Sequence, residues 1–333
     1  MMLHEKYMRR CLQLARLGEY YVAPNPMVGA VLVDVESEED DAIVSEGWHE
    51  TFGGPHAEVN CLRAAEELGF DSYEDCTLYV NLEPCSHYGK TPPCAKMLIE
   101  KKIPRVVIGC LDPNEKVSGR GVQMLRDAGI EVITGVLEDE CRALNKRFIC
   151  LHEQHRPYVI LKWAQTADGF LDYKEHGDKP LVISNAVTKQ LVHQMRAENM
   201  AIMVGTRTAL LDNPRLLTTR WSGRNPIRVL PDRHHAVPRH FRIFSNDSET
   251  VVYEDSTDWQ HILSDLAGRG IHSLIVEGGR IWLDTILESG IWDEMHIEVS
   301  PLRIGDGVPA PKVQLPASSL CSVEGHRLYV IEK

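Results

Sequence analysis

The sequence predicts an α/β protein made of two domains, and three observations support this. The chain has 333 residues, a length typical of two domains. In its first half, short apolar runs of strand type alternate with helical runs, as in layered α/β domains. Around residues 152–157 the periodicity fades and polar residues dominate. We therefore expect one domain at 1–150 and a second at 156–333.

The elements of the first domain follow from local patterns. A first helix is expected at 4–16, because its apolar residues fall on one helical face. Strands are expected at 30–33, 43–49, 77–80, 105–110 and 130–136, and helices at 57–68, from 94, before 129 and at 137–147. The acidic stretch 34–41 is interpreted as a solvated hairpin tip, since its like charges repel when packed. This order predicts a three-layer α/β/α arrangement.

In the second domain the strongest signal is a strand at 273–276, two glycines at 278 and 279, and a helical pattern from Ile281. Such an arrangement makes a phosphate cradle, because backbone amides approach an anion closely and the helix dipole favours it. It is not a Rossmann fingerprint, since Gly-x-Gly-x-x-Gly is absent. By itself, Gly-Gly is more often a turn than a nucleotide site.

Composition and charge narrow the function classes. The chain is 43% hydrophobic and 25% charged, as in ordinary globular proteins, and has no apolar run of membrane-spanning length. A net charge of −12 argues against a nucleic-acid substrate, which needs a basic surface. The nine cysteines lie in scattered apolar contexts and the start lacks a signal-peptide core. We therefore expect reduced thiols and a cytoplasmic enzyme.

A candidate metal site lies in the first domain. His56, Cys85 and Cys94 supply three ligands of the types that zinc prefers, and a fourth position stays open for water. Zinc lowers the pKa of such a water towards neutrality, and Glu58 lies close enough in sequence to move protons. The alternatives are a structural zinc site with His87 as fourth ligand, or two unrelated buried cysteines.

Residues 84–94, together with the triplet at 56–58, resemble the deaminase half of the bifunctional deaminase–reductases of riboflavin biosynthesis. Eight residues separate Cys85 from Cys94, whereas the general zinc-deaminase pattern H-x-E…P-C-x-x-C has two. Motifs at 162–169, 193–197, 201–220, 273–279 and 301–307 resemble the reductase half. The resemblance implies a cytidine-deaminase-like three-layer α/β/α domain followed by a dihydrofolate-reductase-like α/β domain.

The resemblance also assigns the deaminase site. It implies that Glu58 is catalytic and that the substrate is bound by Asn25, His49, Asp112 and Asn114. An Asn suits the edge of a pyrimidine because it donates and accepts hydrogen bonds at once. The competing interpretation of His49 is an ordinary buried histidine.

Two cofactors are implied, one zinc ion per chain and NADPH. The implied cofactor-binding residues are Ala164, Thr208, Asp212, Gly279, Arg280, Ile281, Trp282, Leu283, Asp284 and Thr285. The implied reductase substrate-binding residues are Lys162, Ser184, Arg196, Leu216, Arg220 and Glu277.

The reductase half departs from the family pattern in two places. Val182 stands where the family commonly has Trp, and Ser184 replaces a Thr, so one side of the nicotinamide pocket is expected to differ. Residues 216 and 217, both Leu, look like a one-residue insertion that moves Arg220 one position along the chain.

Together these features predict hydrolytic deamination of a free pyrimidine nucleotide followed by NADPH-dependent reduction of its ribosyl group. We expect small-molecule substrates, no nucleic-acid or membrane partner, and a homo-oligomer, either dimer or tetramer. Two rival hypotheses stay open. One is a deaminase of another nucleobase or nucleotide with a binding domain attached, and the other is a non-catalytic module with structural zinc.

Overall fold

The structure is a computed structural model that describes residues 2–35, 42–88, 92–114, 118–174, 181–255 and 258–333. It separates into two compact units, Met1–Gln154 and His155–Lys333. Among the described residues, no helix combines the length and the apolar character needed to cross a membrane.

The first unit alternates helices and strands. Its elements are α1 (Met2–Ala15), β1 (Gly29–Asp34), β2 (Ile43–Trp48), α2 (Ala57–Glu67), β3 (Cys76–Leu82), α3 (Cys94–Glu100), β4 (Arg105–Cys110), α4 (Arg120–Asp127), β5 (Glu131–Thr134), α5 (Glu138–Leu144) and α6 (Lys146–Gln154).

These strands form one sheet in the order β2-β1-β3-β4-β5. The β1 strand is antiparallel to β2 and β3, whereas β3, β4 and β5 run parallel. Successive residues of a strand point to opposite faces, so Val31 packs with α1 and α5 while Leu32 packs with α2, α3 and α4. Helices therefore cover both faces, and the predicted three-layer α/β/α arrangement is confirmed.

Two local predictions need comment. Residues 36–41, most of the acidic stretch predicted to be a hairpin tip, lie outside the described residues. The single helix predicted at 137–147 is wrong, because the structure breaks it into α5 and α6 at Asn145. The side chain of Asn145 accepts from the backbone N–H of Met27 and donates to its carbonyl oxygen, at 2.8 and 2.9 Å. These bonds to a distant partner hold Asn145 at the junction of the two helices.

The second unit contains more strands. Its elements are β6 (Tyr158–Gln165), β7 (Phe170–Asp172), α7 (Ala186–Glu198), β8 (Ala201–Met203), α8 (Thr206–Asp212), β9 (Ile227–Pro231), β10 (Thr250–Tyr253), α9 (Trp259–Gly268), β11 (Ser273–Val276), α10 (Arg280–Ser289), β12 (Glu294–Val299), β13 (Val308–Pro309), β14 (Cys321–Val323) and β15 (His326–Glu332).

Eight of these strands form a mixed sheet in the order β10-β9-β8-β11-β6-β12-β15-β14. The six from β10 to β12 run parallel. At the edge, β15 is antiparallel to β12, and β14 is antiparallel to β15. One apolar cluster includes α9 and α10, and another includes Ala209 of α8. The predicted α/β class is confirmed. The carboxyl ends of β6, β11, β8 and β9 meet at one edge of this sheet, where α/β proteins place their ligands.

Candidate functional site

Three potential metal ligands meet in the first unit. The ligand atoms of His56, Cys85 and Cys94 all lie within 4.8 Å of one another. Nδ1 of His56 is 3.4 Å from Sγ of Cys94 and 3.6 Å from Sγ of Cys85. Within the described part of the chain this is the one such cluster, and His87 is not a member. Three protein ligands leave the fourth tetrahedral position open, as in catalytic zinc sites.

Helix and strand ends bring these ligands together. His56 immediately precedes α2, Cys85 follows the end of β3, and Cys94 is the first residue of α3. The backbone N–H of Cys94 donates to Sγ of Cys85 over 3.2 Å. A donor at a helix start stabilises negative charge on the sulfur, because the helix dipole acts in the same direction.

The two thiols are suited to a divalent cation. The Cys94 thiol and the His56 ring lower the pKa of the Cys85 thiol to about 4. In turn, Cys85 and burial raise the pKa of Cys94 well above its ordinary value. A divalent ion would allow both sulfurs to bind as thiolates, so the donor set fits zinc.

Glu58 supplies a buried carboxyl group beside these ligands. It lies in the first turn of α2 and its side chain is only 3% exposed. Burial raises the pKa of Glu58 to about 7, and the charge of Cys85 acts in the same direction. A group with a pKa near neutrality can both take and give a proton, which suits the predicted catalytic role.

The cluster opens into a pocket of about 270 Å³. Seven residues predicted from the sequence line it: Asn25, His49, His56, Glu58, Cys85, Asp112 and Asn114. Cys94 lies beneath, almost fully buried. Three polar or aromatic lining residues were not assigned a role from the sequence: Glu83, Phe148 and His152. His87, considered from the sequence only as the fourth ligand of a structural zinc site, also lines the pocket. The available signal was the i, i+4 spacing of Phe148 and His152, whose ring centroids are 4.5 Å apart on α6.

The segment after Asn25 is held by two buried asparagines. Asn81 accepts from the backbone N–H of Gly29 over 2.8 Å and donates to the carbonyl oxygen of Met27. Asn145 bonds both backbone groups of Met27. The entry to β1 is therefore fixed from two sides, and Asn25 projects from a rigid segment.

The loop after β4 brings Asp112 and Asn114 into the pocket lining. The carboxylate of Asp112 accepts from the backbone N–H of Asn114 over 2.8 Å. Burial raises the pKa of Asp112, and this hydrogen bond limits the shift.

The second unit has a separate cleft of about 650 Å³ at the carboxyl ends of its parallel strands. The predicted residues that line it are Lys162, Ala164, Thr208, Asp212, Glu277, Gly279, Arg280, Ile281, Trp282 and Leu283. Its lining also includes Arg207, Arg233 and His234, which the sequence analysis did not single out.

Two glycines shape the middle of this cleft. Gly278 and Gly279 have φ angles of 156° and 73°, and Gly279 directly precedes α10. A Cβ atom at either position would lie 3.5 Å from Oγ1 of Thr208. The first N–H groups of α10 have no partner within the helix. Together with the helix dipole they form an anion-binding site.

A buried ion pair borders the cleft. Arg196 donates to Glu277 over 2.7 Å, and their side chains are 14% and 10% exposed. Burial alone would raise the pKa of Glu277, but the charges of Arg196 and Lys162 outweigh it and hold that pKa below its ordinary value. Arg196 and Leu216 also line a smaller cavity of about 190 Å³. The ion pair therefore lies between the two cavities.

Four residues implied by the resemblance line neither cavity. Asp284 forms an ion pair with Arg280, and Thr285 is exposed on α10. Ser184 donates to the buried carboxylate of Glu298 over 2.5 Å. Arg220 is exposed. The pKa of His193 is lowered mainly by burial and by the charge of Arg196, and the charge of Arg220 makes a smaller contribution in the same direction.

Two sequence families match the chain. The cytidine and deoxycytidylate deaminase zinc-binding region matches residues 1–110, and the RibD C-terminal domain matches residues 157–324. The first match contains all three metal ligands. The second contains the whole cleft described above.

Full-length relatives agree. The riboflavin biosynthesis protein RibD of Aquifex aeolicus is 37% identical, with 91% of this chain and 88% of the relative aligned. The RibD of Escherichia coli is 34% identical over 96% of this chain and 91% of the relative. A crystal structure from Thermotoga maritima, a diaminohydroxyphosphoribosylaminopyrimidine deaminase/5-amino-6-(5-phosphoribosylamino)uracil reductase, is 35% identical with a TM-score of 0.87 over 99% of each chain. The chain therefore belongs to the RibD family of riboflavin biosynthesis proteins, which combine a zinc-binding deaminase and a reductase in one polypeptide.

Proposed function

We propose that the first unit removes the 2-amino group of 2,5-diamino-6-ribosylamino-4(3H)-pyrimidinone 5′-phosphate. We propose that the second unit then reduces the ribosyl group of the product, 5-amino-6-(5-phosphoribosylamino)uracil, to ribityl with NADPH. The observation that carries this proposal is the pocket in which His56, Cys85 and Cys94 meet the buried carboxyl of Glu58. The name of the Thermotoga maritima relative contains the same two substrates.

In the deaminase pocket, His56, Cys85 and Cys94 would hold zinc, which supplies Lewis-acid activation of a water for hydrolysis. Glu58 would take one proton from the attacking water and give it to the ring nitrogen as the C–O bond forms. It would then move the second proton, from the new hydroxyl of the tetrahedral adduct, to the amine, which leaves as ammonia when the C–N bond breaks. Its burial supports this role, because the raised pKa matches proton transfer at neutral pH. Asn25, Asp112 and Asn114 orient the pyrimidine through hydrogen bonds.

In the reductase cleft, the N–H groups at the start of α10 would hold the diphosphate of the cofactor. When bound, NADPH would supply the hydride for reduction at C1′ of the opened sugar. Family membership supports a nicotinamide cofactor, and the choice of NADPH is our proposal. Lys162 of β6 and Glu277, which follows the last residue of β11, both line the cleft, and the charge of Lys162 acts on Glu277. Because Glu277 is held as a carboxylate, we assign proton donation to the sugar oxygen to Lys162.

The substrate phosphate is proposed to bind in the smaller cavity beside Arg196. His193, Arg215 and Arg242 also line that cavity. Guanidinium groups match phosphate oxygens in bidentate geometry. Arg196 would then contact the phosphate on one side and Glu277 on the other, and Arg220 stays a prediction from the family resemblance.

A cytoplasmic location and a homo-oligomer, dimer or tetramer, remain part of the proposal. The nine free cysteines support a reducing compartment.

A coupled assay with the full-length protein tests the proposal. With the amino substrate, the enzyme should release ammonia and consume NADPH in equal amounts. Glu58→Gln should lower ammonia release by at least ~10²-fold but keep NADPH oxidation from the deaminated compound. Near wild-type ammonia release from this variant would contradict the assignment of Glu58. Ammonia release from the substrate without any NADPH oxidation would favour the rival hypothesis of a deaminase with a binding domain.

A further inference from the structure

A second carboxylate, Glu83, lines the deaminase pocket but has a different set of partners from Glu58. It follows the last residue of β3 and comes two residues before the metal ligand Cys85. Its side chain is 4% exposed. The backbone N–H of Glu83 donates to the carbonyl oxygen of Cys110 over 3.0 Å, so its main chain is fixed to the end of β4.

Four backbone N–H groups donate to the Glu83 carboxylate. Oε2 accepts from Asp112 at 3.1 Å and from Gly119 at 2.9 Å. Oε1 accepts from Gly121 at 2.8 Å and from Val122 at 3.2 Å. Each oxygen therefore has two donors. With its acceptor positions filled in this way, Glu83 is suited to hold structure in place and not to move a proton.

These donors lie at both ends of one loop, and the loop carries Asp112 and Asn114. Gly119 is the N-cap residue of α4, and no side-chain cap hydrogen bond forms there. The Glu83 carboxylate takes this place and accepts hydrogen bonds from the first N–H groups of the helix, which have no partner within it. The approach is close: a Cβ atom on Gly121 would lie 2.2 Å from the carbonyl oxygen of Pro84. A single side chain thus joins the segment that holds Cys85 to the loop that carries Asp112 and Asn114.

We infer that Glu83 is a positioning residue of the deaminase, which holds Asp112 and Asn114 at a fixed place relative to the metal ligand Cys85. This inference rests on the proposed deamination of a pyrimidine nucleotide. Glu83 itself does not contact the reacting atoms. Its contribution is to substrate binding, because the loop it holds presents the groups that orient the pyrimidine.

The test is Glu83→Gln in the full-length enzyme. An amide has one oxygen and one NH2 group, so two of the four donors would face another donor. Loss of hydrogen bonds to a charged group should raise KM for the amino substrate by about 10- to 100-fold, with a much smaller change in kcat. Zinc content should stay at one per chain. Hydrogen exchange should rise in the peptide covering residues 112–122 and stay unchanged in β3 and β4, because only the loop loses its anchor.

The matched control is Glu131→Gln, the same change at an exposed ion pair with Arg105, which should alter neither KM nor exchange in the loop. An unchanged KM in Glu83→Gln would overturn the inference. So would loss of zinc or faster exchange throughout the sheet, because Glu83 would then act on the stability of the whole unit. A wild-type enzyme that releases no ammonia would instead contradict the proposed function.

Discussion

The side-chain amide of Asn25 donates to the ring of His49. Nδ2 of Asn25 lies 3.0 Å from Nε2 of His49, and Nδ1 of the same ring lies 2.8 Å from the carbonyl oxygen of Pro55. A carbonyl only accepts, so Nδ1 must carry the ring proton and Nε2 must accept. Burial lowers the pKa of His49 and so favours this neutral form. The amide of Asn25 is thereby oriented with Oδ1 left to accept from a ligand.

Asn25→Asp should weaken the deaminase while leaving the reductase active. The carboxylate has no N–H to give to Nε2 of His49, so two acceptors would face each other in a buried site. We expect kcat/KM for the amino substrate to fall by about tenfold or more. NADPH oxidation from the deaminated compound, which uses the other unit, should not change.

Asn60→Asp is the matched control for this change. Asn60 donates to the carbonyl oxygen of Trp48 over 2.8 Å and does not line the pocket. It should affect stability and not KM. Equal losses of kcat/KM in both variants would show that the Asn25–His49 contact has no special role in binding.

The zinc ligands give the second prediction. Cys85→Ser and Cys94→Ser should each abolish zinc binding, because a hydroxyl is a far poorer ligand than a thiolate. Cys76→Ser and Cys110→Ser are the controls, since both thiols are buried away from the ligand cluster. Metal analysis of the purified variants is the measurement. A requirement for Cys76 or Cys110 in zinc binding would show that the ligand set is wrong.

Site residues could be predicted from the sequence where the residues that define the pattern lie close together along the chain. His56, Glu58 and the two cysteines were predictable because the residue types are specific to zinc chemistry and each pair lies on one short segment. The strands were predictable for a similar reason, as in Arg105–Cys110, which the structure reproduces with the same bounds.

The remainder depends on partners far apart in sequence. Nothing in the residues near Asn145 indicates that its side chain will bond Met27, 118 residues away, at the junction of two helices. The four donors of Glu83 likewise come from a loop about thirty residues on. In the reductase, the motif residues alone do not show which side chains line the cleft. Asp284 belongs to the motif, but it pairs with Arg280 on the same helix. Such contacts are set by tertiary packing, which overrides local pattern.

The Arg196–Glu277 pair gives the third prediction, a pH-dependent loss of stability. Arg196→Ala should lower the free energy of unfolding of the second unit by about 3 kcal/mol at pH 7, because it leaves a buried carboxylate without its partner. Urea unfolding followed by tryptophan fluorescence reports mainly on this unit, since five of the six tryptophans follow residue 155.

The sign of the pH effect follows from the pKa of Glu277, which the structure holds below its ordinary value. The pair therefore stabilises the fold above the unfolded-state pKa of a glutamate, about 4.5. That stabilisation is lost as the pH falls through the lower folded-state pKa. The difference between wild type and Arg196→Ala should shrink towards pH 4. Arg215→Ala, at an exposed pair with Asp247, should cost about 0–1 kcal/mol at either pH. A difference that grows on acidification would contradict this account.

The last prediction concerns the order of the two reactions. A chain of residues 156–333 should fold alone, because its sheet and apolar clusters are its own. Its first residue, Arg156, donates to both carboxylate oxygens of Asp293 at 2.5 and 2.6 Å, so truncation there keeps that contact. We expect it to bind NADPH at Gly279 and the start of α10 and to need no zinc.

This isolated unit should discriminate between the two pyrimidines. Deamination replaces an NH2 donor by an oxygen acceptor, and a pocket built for one leaves buried polar groups unpaired with the other. The unit should therefore oxidise NADPH with the deaminated compound and hardly at all with the amino compound. In the full-length enzyme, Glu58→Gln should block NADPH oxidation from the amino compound only. Similar rates of NADPH oxidation with both compounds would show that the reductase pocket does not set the order of the two reactions.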